Sequence, residues 1–372
     1  MSNITVKKNI ADAFIDIADL LKTGKNLKKP VIGIFAENGE HGKEIYEEAV
    51  KSAEIKGYKA INYVCDESED IHKIMEEKLE KGEIDGAITM HYSFPIGVST
   101  VGRVVTPGEG RKMFLANTTG TSDTERNVAM VKNALYGIIA AKACGISNPS
   151  VGIANIDGAR QTERALKKLD ENGYKINFAD SARADGGVVM RGNDLLLGTS
   201  DVMVMDSLTG NLIMKMLSSF SSGGSYETTG YGYGPGIGEN YNKLIMIISR
   251  ASGVPVVEGA IEYASILIQN EWYSVVCNEL KLARKAGLNN IIKDLAKSTI
   301  EKELGVTAPT KEIVTAQIPG IEVMDLENAV QILWKQNIYA ESGMGCIGPI
   351  IRVNEEKFIN AKQILADKGY IS

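Results

Sequence analysis

The chain has 372 residues and a formal net charge of −6, its 41 basic residues being spread among 47 acidic ones. That length suffices for one large α/β domain or two lobes with a substantial core, so neither a metal nor a disulfide is needed to explain folding. Without a basic stripe, nucleic acid and an anionic membrane surface are not expected as partners.

The opening run, MSNITVKKNIADAFIDIADLL, mixes Lys and Asp into its apolar positions. It lacks the uninterrupted apolar stretch of a signal peptide or spanning helix, so a cytoplasmic protein with no membrane span is expected. Further on, short β-branched or apolar runs end in glycine or polar turns and give way to longer helical patterns. That alternation predicts an α/β fold, a mostly parallel sheet with flanking helices. The predicted strands are Val31 to Phe35, Ala60 to Val64, Gly86 to Thr89, Lys112 to Ala116, Val151 to Ala154, Val202 to Met205 and Leu244 to Ile248. Between them, Gly42 to Lys56, Ile71 to Lys81 and Asn127 to Cys144 read as amphipathic helices.

The stretch Gly223 to Gly238, GGSYETTGYGYGPGIG, interleaves Tyr226, Tyr231 and Tyr233 with glycine and reads as a long surface loop. After Ala264 the pattern turns mostly helical. The organisation expected is therefore an α/β region over 1–264 and a mostly helical C-terminal region over 265–372.

Two strand ends suit an anion. SDVMVMDS, Ser200 to Ser207, reads as a buried strand that turns through Leu208, Thr209, Gly210 and Asn211 into the helix LIMKMLSSF. In open α/β sheets ligands collect beyond the carboxyl ends of strands, and free N–H groups at a helix start bind phosphate or carboxylate. Lys215, four residues after Asn211, lies on the same helix face. The plainer alternative is that Gly210 only permits a tight turn and Asn211 only caps the helix.

The second strand, KLIMIIS, ends in Ser249, Arg250, Ala251, Ser252 and Gly253 before a helix with proline near its start. Arginine there can grip phosphate with a planar pair of donors, while Ser249 and Ser252 add hydroxyls; a capped helix with a solvated arginine is the alternative. Neighbouring loops of a parallel sheet converge on one crevice, which favours reading the two turns together. Arg103, in HYSFPIGVSTVGRVV beyond the strand Gly86 to Thr89, is a further candidate for that site. His91 has no nearby carboxylate in sequence to orient it and is set aside as a general base.

The four cysteines, Cys65, Cys144, Cys277 and Cys346, lie far apart without a CxxC pair, which argues against a zinc site and gives no disulfide framework. Cys65 ends a strand, and Cys144 and Cys277 sit in helical apolar patterns, as inert core thiols do. Cys346 differs. It lies in ESGMGCIGPIIRV among Gly343, Gly345, Gly348 and Pro349. Such a turn admits substrate to the sulfur, and its amides can lower a thiol pKa and steady an oxyanion, making Cys346 the candidate nucleophile.

With these residues in view, GNDLLLGTSDVMVMDSLTGNLIMKM, Gly192 to Met216, resembles the strand, Thr-Gly-Asn turn and lysine-bearing helix of phosphotransacetylases and of the phosphate acyltransferase of phospholipid synthesis. The Ser249-Arg250 turn is similar to the phosphotransacetylase Ser-Arg motif, and Arg103 falls where a substrate-binding arginine is expected. Beyond that core, GGSYETTGYGYGPGIGENY and GMGCIGPIIRV resemble the component C alpha subunits of glycine, sarcosine and betaine reductases, a match spanning nearly the whole chain.

The resemblance implies a two-lobed phosphotransacetylase/isocitrate-dehydrogenase-like architecture. It implies that selenoprotein A presents a carboxymethyl selenoether, that Cys346 takes up the acetyl group as a thioester, and that phosphate releases acetyl phosphate. The phosphate- and substrate-binding set is then Ser207, Thr209, Gly210, Asn211, Lys215, Ser249, Arg250, Ser252 and Arg103. Inorganic phosphate is a substrate, no cofactor is expected, and the partners are the component C beta subunit and selenoprotein A in an oligomeric assembly.

Ser249 and Arg250 stand where the phospholipid enzyme carries a His-Gly pair, so long acyl chains are not expected. No feature names a coenzyme A site. Two alternatives stay open: a free-standing phosphate acyltransferase using coenzyme A or acyl carrier protein, and a non-catalytic scaffold that binds the beta subunit through the tyrosine-glycine loop.

Overall fold

The computed structural model describes residues 29–36, 39–64, 70–184, 186–303, 306–321, 325–345 and 348–371. The chain divides into two compact units, Met1–Ile292 and Lys293–Ser372. The division expected after residue 264 thus falls at 292/293.

In the first unit, β1 (Val31–Phe35), β2 (Lys59–Asn62) and β3 (Gly86–Thr89) alternate with α1 (Glu44–Ile55) and α2 (Ile71–Glu80). Two long strands follow, β4 (Val98–Val105) and β5 (Lys112–Thr121), and then helix α3 (Arg126–Ala143). Next come β6 (Ser150–Ala154), α4 (Ala159–Glu171), β7 (Asn177–Phe178), β8 (Val189–Met190), α5 (Gly192–Leu197), β9 (Val202–Val204) and α6 (Ser207–Ser218). The unit is completed by β10 (Gly234–Gly238), β11 (Ile245–Ile247), α7 (Val254–Gln269) and α8 (Trp272–Lys285), while α9 (Leu288–Glu303) runs across the division.

These strands form one sheet in the order β2-β1-β3-β11-β10-β4-β5-β9-β6-β7, with β8 also paired to β6. The flanks β2-β1-β3-β11 and β5-β9-β6-β7 are parallel, as the alternating pattern predicts. The centre is not. β10 pairs antiparallel with both β11 and β4, and β4 pairs antiparallel with β5. The two parallel flanks are joined by an antiparallel bridge.

That bridge corrects the reading of Gly223 to Gly238 as a surface loop. Its last five residues are a central strand buried along its length, and Tyr231 and Tyr233 are buried beside it. Glycine is required rather than merely tolerated: Gly234 has φ +92°, and a Cβ there would overlap the Val101 carbonyl of β4. Stripped of side chains, β10 carries no alternation to read.

The core lies on both faces of this sheet. On one face α6 packs over β4 and β5, with Met214 and Leu217 meeting Val104, Met113, Leu115 and Met205. On the other, fully buried Tyr263 of α7 sets its ring against Phe114 of β5 and donates its hydroxyl to the Val101 carbonyl at 3.2 Å. Helix α8 belongs to this unit: Glu279 accepts from Lys142 of α3 at 2.8 Å and from the Tyr174 hydroxyl at 2.6 Å. Among the described residues, no helix is long and apolar enough to cross a membrane.

The second unit is less helical than its sequence pattern predicts. β12 (Ala316–Pro319), β13 (Ala340–Gly345) and β14 (Gly348–Val353) form an antiparallel sheet in the order β12-β14-β13, accompanied by α10 (Leu326–Lys335) and α11 (Phe358–Asp367). Ile318, Leu333, Ile351, Val353, Ala361 and Leu365 make its core. Cys346 falls between β13 and β14 in sequence and lies outside the described residues, as does Cys65.

Candidate functional site

A cleft of about 270 Å3 opens in the first unit where the parallel flanks meet the antiparallel bridge. Its walls are Met90, His91 and Tyr92 beyond the end of β3; Thr119 near the end of β5; Asn211 and Lys215 of α6; Tyr233 before β10; and Ile247, Ile248 and Ser249 at the end of β11. The carboxyl ends of strands from both flanks contribute, the location at which open α/β sheets bind ligands.

Of the residues singled out in the sequence, Asn211, Lys215 and Ser249 line this cleft together. They come from opposite sides of the bridge: β9, which precedes α6, lies three strands beyond β10, and β11 is the neighbour of β10 on its other side. The expected convergence is therefore made by the sheet's central pairing rather than by adjacent loops. The Asn211 amide donates to the Thr118 carbonyl at 3.2 Å, which fixes its orientation. Lys215 makes no side-chain hydrogen bond or close ion pair among the described residues, and its charge acts on Glu227.

The start of α6 differs from expectation in an instructive way. The helix begins at Ser207, so Thr209 and Gly210 lie in its first turn and Asn211 opens its second, none of them in a loop before it. Its N-cap is Asp206, whose carboxylate accepts the Thr209 N–H at 2.9 Å and the Thr209 hydroxyl at 3.0 Å. The Gly210 N–H is bonded to the Asp206 carbonyl at 2.9 Å. An internal carboxylate, itself paired with Arg126 at 2.9 Å, thus occupies the place where a helix N-terminus would hold an anion. Ser207 faces a separate hollow with Asp206, Arg126 and Asp123. Thr209 and Gly210 shape the site from behind: Gly210 lets α6 approach the backbone of β5, which sets where Asn211 and Lys215 stand.

At the β11 turn, the Ser249 N–H donates to the Ser252 hydroxyl at 3.0 Å and the Ala251 N–H donates to the Ser249 hydroxyl at 3.1 Å. Ser252 is buried behind the cleft wall. Arg250 is exposed beside it, and its charge acts on His91. His91, set aside in the sequence, forms part of the wall. Its ring lies 4.6 Å from that of His72, and burial, with the charges of His72 and Arg250, holds its pKa below the usual histidine value. Tyr92 is held up to about 12 by burial and by its hydrogen bond to Glu76.

Arg103 is not at this cleft. Successive residues of a strand face opposite sides. Gly102 faces Thr118 and Met214 of the α6 side, so Arg103 of β4 turns to the α7 side. There it is buried with its guanidinium 4.7 Å from the Tyr231 ring, 5.1 Å from Phe114 and 5.9 Å from Tyr263. Cys277 is exposed on α8 rather than buried in a core, whereas burial drives the Cys144 thiol up to about 12, as befits an inert thiol.

Tyr92 and Thr119 in the wall and Glu227 behind Tyr233 are the residues that sequence reasoning missed. An acidic residue amid glycines and tyrosines was the available signal, concealed by reading the segment as surface.

The model of the family described as fatty acid synthesis protein matches residues 46–352 of this chain. The chain is 53% identical, over an alignment of 388 positions covering 99% of both chains, to the glycine/sarcosine/betaine reductase complex component C subunit alpha of Peptoclostridium acidaminophilum. The chain belongs to this component C alpha-subunit family. Shorter matches link the family to phosphate acyltransferases. That of Thermosipho melanesiensis is 34% identical over 88 residues, 22% of this chain and 24% of the relative. That of Geobacillus sp. (strain WCH70) is 26% identical over 166 residues, 39% and 46% of the two chains. Component C alpha subunits, by their name, are parts of a larger complex.

Proposed function

We propose that this chain is an acyltransferase subunit that passes an acetyl group to inorganic phosphate and releases acetyl phosphate within the reductase complex. The observation that carries this reading is the grouping of an amide, an ammonium and a hydroxyl in one cleft, from Asn211, Lys215 and Ser249, with Arg250 beside it. Such donors suit a tetrahedral oxyanion. Asn211, Lys215, Ser249 and Arg250 hold the phosphate; Ser252, Thr209 and Gly210 keep those residues in position.

In the proposed sequence, with selenoprotein A and the beta subunit as partners, Cys346 carries the acetyl group as a thioester. A phosphate oxygen then attacks the thioester carbonyl. The new bond is O–C, the bond broken is C–S, and the proton of hydrogen phosphate passes to the departing thiolate, so the step balances without a cofactor. The full-length likeness to a component C alpha subunit supports the reductase setting, and the phosphate acyltransferase matches support phosphate as acceptor.

Intact-mass spectrometry with peptide mapping tests this reading, after incubation with acetyl phosphate in the presence and absence of the beta partner. An acetyl adduct of roughly 42 Da on Cys346, removed by phosphate or arsenate and absent from Cys346→Ser, is the expected result. Acetylation of the partner alone, or full activity of Cys346→Ser, would remove the nucleophile from this chain and leave it a phosphate-binding or scaffolding subunit.

A further inference from the structure

Beneath the cleft wall lies a carboxyl that no step above uses. Glu227 is 1% exposed. Its backbone is pinned to the β11 turn, its N–H donating to the Ala251 carbonyl at 2.9 Å and its carbonyl accepting the Gly253 N–H at 2.8 Å. Its side chain accepts from the Tyr233 hydroxyl at 3.1 Å through one oxygen and from the Ser252 hydroxyl at 3.0 Å through the other. The Ser249 hydroxyl, at the start of the same turn, pulls on the carboxyl as well. Tyr233 and Ser249 both line the cleft.

A hydroxyl has one proton to donate. While Glu227 is ionised, the Tyr233 and Ser252 hydroxyl protons are committed to it and its charge draws the Ser249 proton inward, so Ser249 and Tyr233 offer the cleft lone pairs. Once Glu227 is protonated, it donates to one of these oxygens and a hydroxyl proton is released toward the cleft. An oxyanion there favours the second state twice over: it gains a donor, and it no longer faces a buried negative charge in a medium that screens poorly.

Burial already pushes the Glu227 carboxyl above its usual range, against the pull of Ser252, Tyr233, Ser249 and the Lys215 charge. The charged group acting on it from the facing helix is Lys215 of α6. The titrating group elsewhere in the cleft wall is His91, which responds to His72 and Arg250.

We propose that Glu227 is the positioning residue of the oxyanion cleft, holding a proton when the anion is bound so that Ser249 and Tyr233 donate to it. The proposal rests on the reading of the cleft as an oxyanion site. It assigns the tyrosine-glycine segment a place in that site, as the source of Glu227 and Tyr233.

Inorganic sulfate is the probe, because its charge is constant across the range of interest, whereas phosphate itself titrates. Calorimetric titrations of the full chain in buffers of different ionisation enthalpy, from about pH 5 to 8, count the protons taken up on binding. The wild-type chain is expected to take up a proton, and its sulfate affinity to fall about tenfold per pH unit above the pKa of free Glu227. In Glu227→Gln, which preserves shape and keeps the hydroxyls anchored, that uptake disappears, and whatever pH dependence remains belongs to His91.

Sulfate binding without proton uptake in the wild type, or unchanged uptake in Glu227→Gln, overturns the role of Glu227 while leaving the oxyanion cleft intact. No sulfate or phosphate binding at any pH overturns the cleft and this proposal with it. The wild-type proton count stands by itself should Glu227→Gln fail to fold. In that event Tyr233→Phe and Ser249→Ala, each removing one cleft hydroxyl, are expected to weaken sulfate binding most at low pH.

Discussion

Gly210 of α6 packs so tightly on β5 that a Cβ added to it would overlap the Asn117 carbonyl oxygen. Because the obstacle is backbone, neither partner can yield by turning a rotamer. Helix propensity favours alanine over glycine by about 1 kcal/mol, but overpacking costs roughly 1–3 kcal/mol or more and here decides the sign. Gly210→Ala is expected to lower stability in denaturant unfolding and to weaken phosphate binding by displacing Asn211 and Lys215. Wild-type stability with wild-type phosphate affinity would show that the contact does not position the site.

Lys215 is exposed and uncommitted to any close ion pair among the described residues, so its removal is expected to change binding without changing stability. A charge-assisted hydrogen bond contributes about 1.5–3 kcal/mol. Lys215→Ala is therefore expected to raise the KM for phosphate about tenfold or more, increasingly at low ionic strength, while the melting temperature stays unchanged. A changed melting temperature with an unchanged KM would assign the residue to the fold.

The cap of α6 makes stability depend on acid pH. Burial disfavours the Asp206 carboxylate, but the Thr209 N–H and hydroxyl, Arg126 and the Leu208 N–H outweigh it and hold its pKa below the usual value. A carboxyl depressed in the folded state contributes stability above its unfolded pKa, near 4, and loses it as the pH falls through the folded value. Asp206→Ala should cost about 1 kcal/mol at neutral pH, while Asp206→Asn keeps the cap and loses only the Arg126 pairing. The gap between wild type and Asp206→Ala is expected to close below about pH 4 in thermal unfolding; a gap constant with pH would contradict the role assigned to the charge.

The boundary between the two units predicts which fragments fold. A chain ending at residue 292 retains α8 and the contacts of Glu279 with Lys142 and Tyr174. A chain ending at residue 264 cuts α7 and leaves those partners unsatisfied. The longer fragment is expected to unfold cooperatively and to bind sulfate, the shorter to aggregate or bind the reporter dyes of exposed apolar surface. Cooperative folding of the shorter fragment would place the boundary where the change to helical pattern suggested.

The parallel flanks apart from the two-residue β7 were legible because their strands begin as or contain short apolar runs closed by turns, a signal contained within a few neighbouring residues. Asn211 and Lys215 on α6 and Ser249 after β11 were singled out by residue type, and the fold brings the three to one cleft. Cys346 stood out by its glycine neighbours; Gly192 to Met216 carried the phosphate acyltransferase resemblance, and GGSYETTGYGYGPGIGENY with GMGCIGPIIRV carried the component C one.

Other features depended on contacts between residues far apart in sequence. β10 reads as loop because Gly234 and Gly236 have no side chains to alternate, yet those missing side chains let it pass between β4 and β11. Arg103 was assigned to the site by its place in a motif, but the register of β4 against β5 turned it to the opposite face, among three aromatic rings. Glu227 shows in sequence only as an acid amid glycines and tyrosines, since its partner Ser252 is brought to it only when the β11 turn pairs with its backbone. Local periodicity and turn chemistry determined which elements form and which residue types stand at their ends; close approach of backbones across the sheet decided which face each side chain meets, because sterics and burial exist only once distant segments pack.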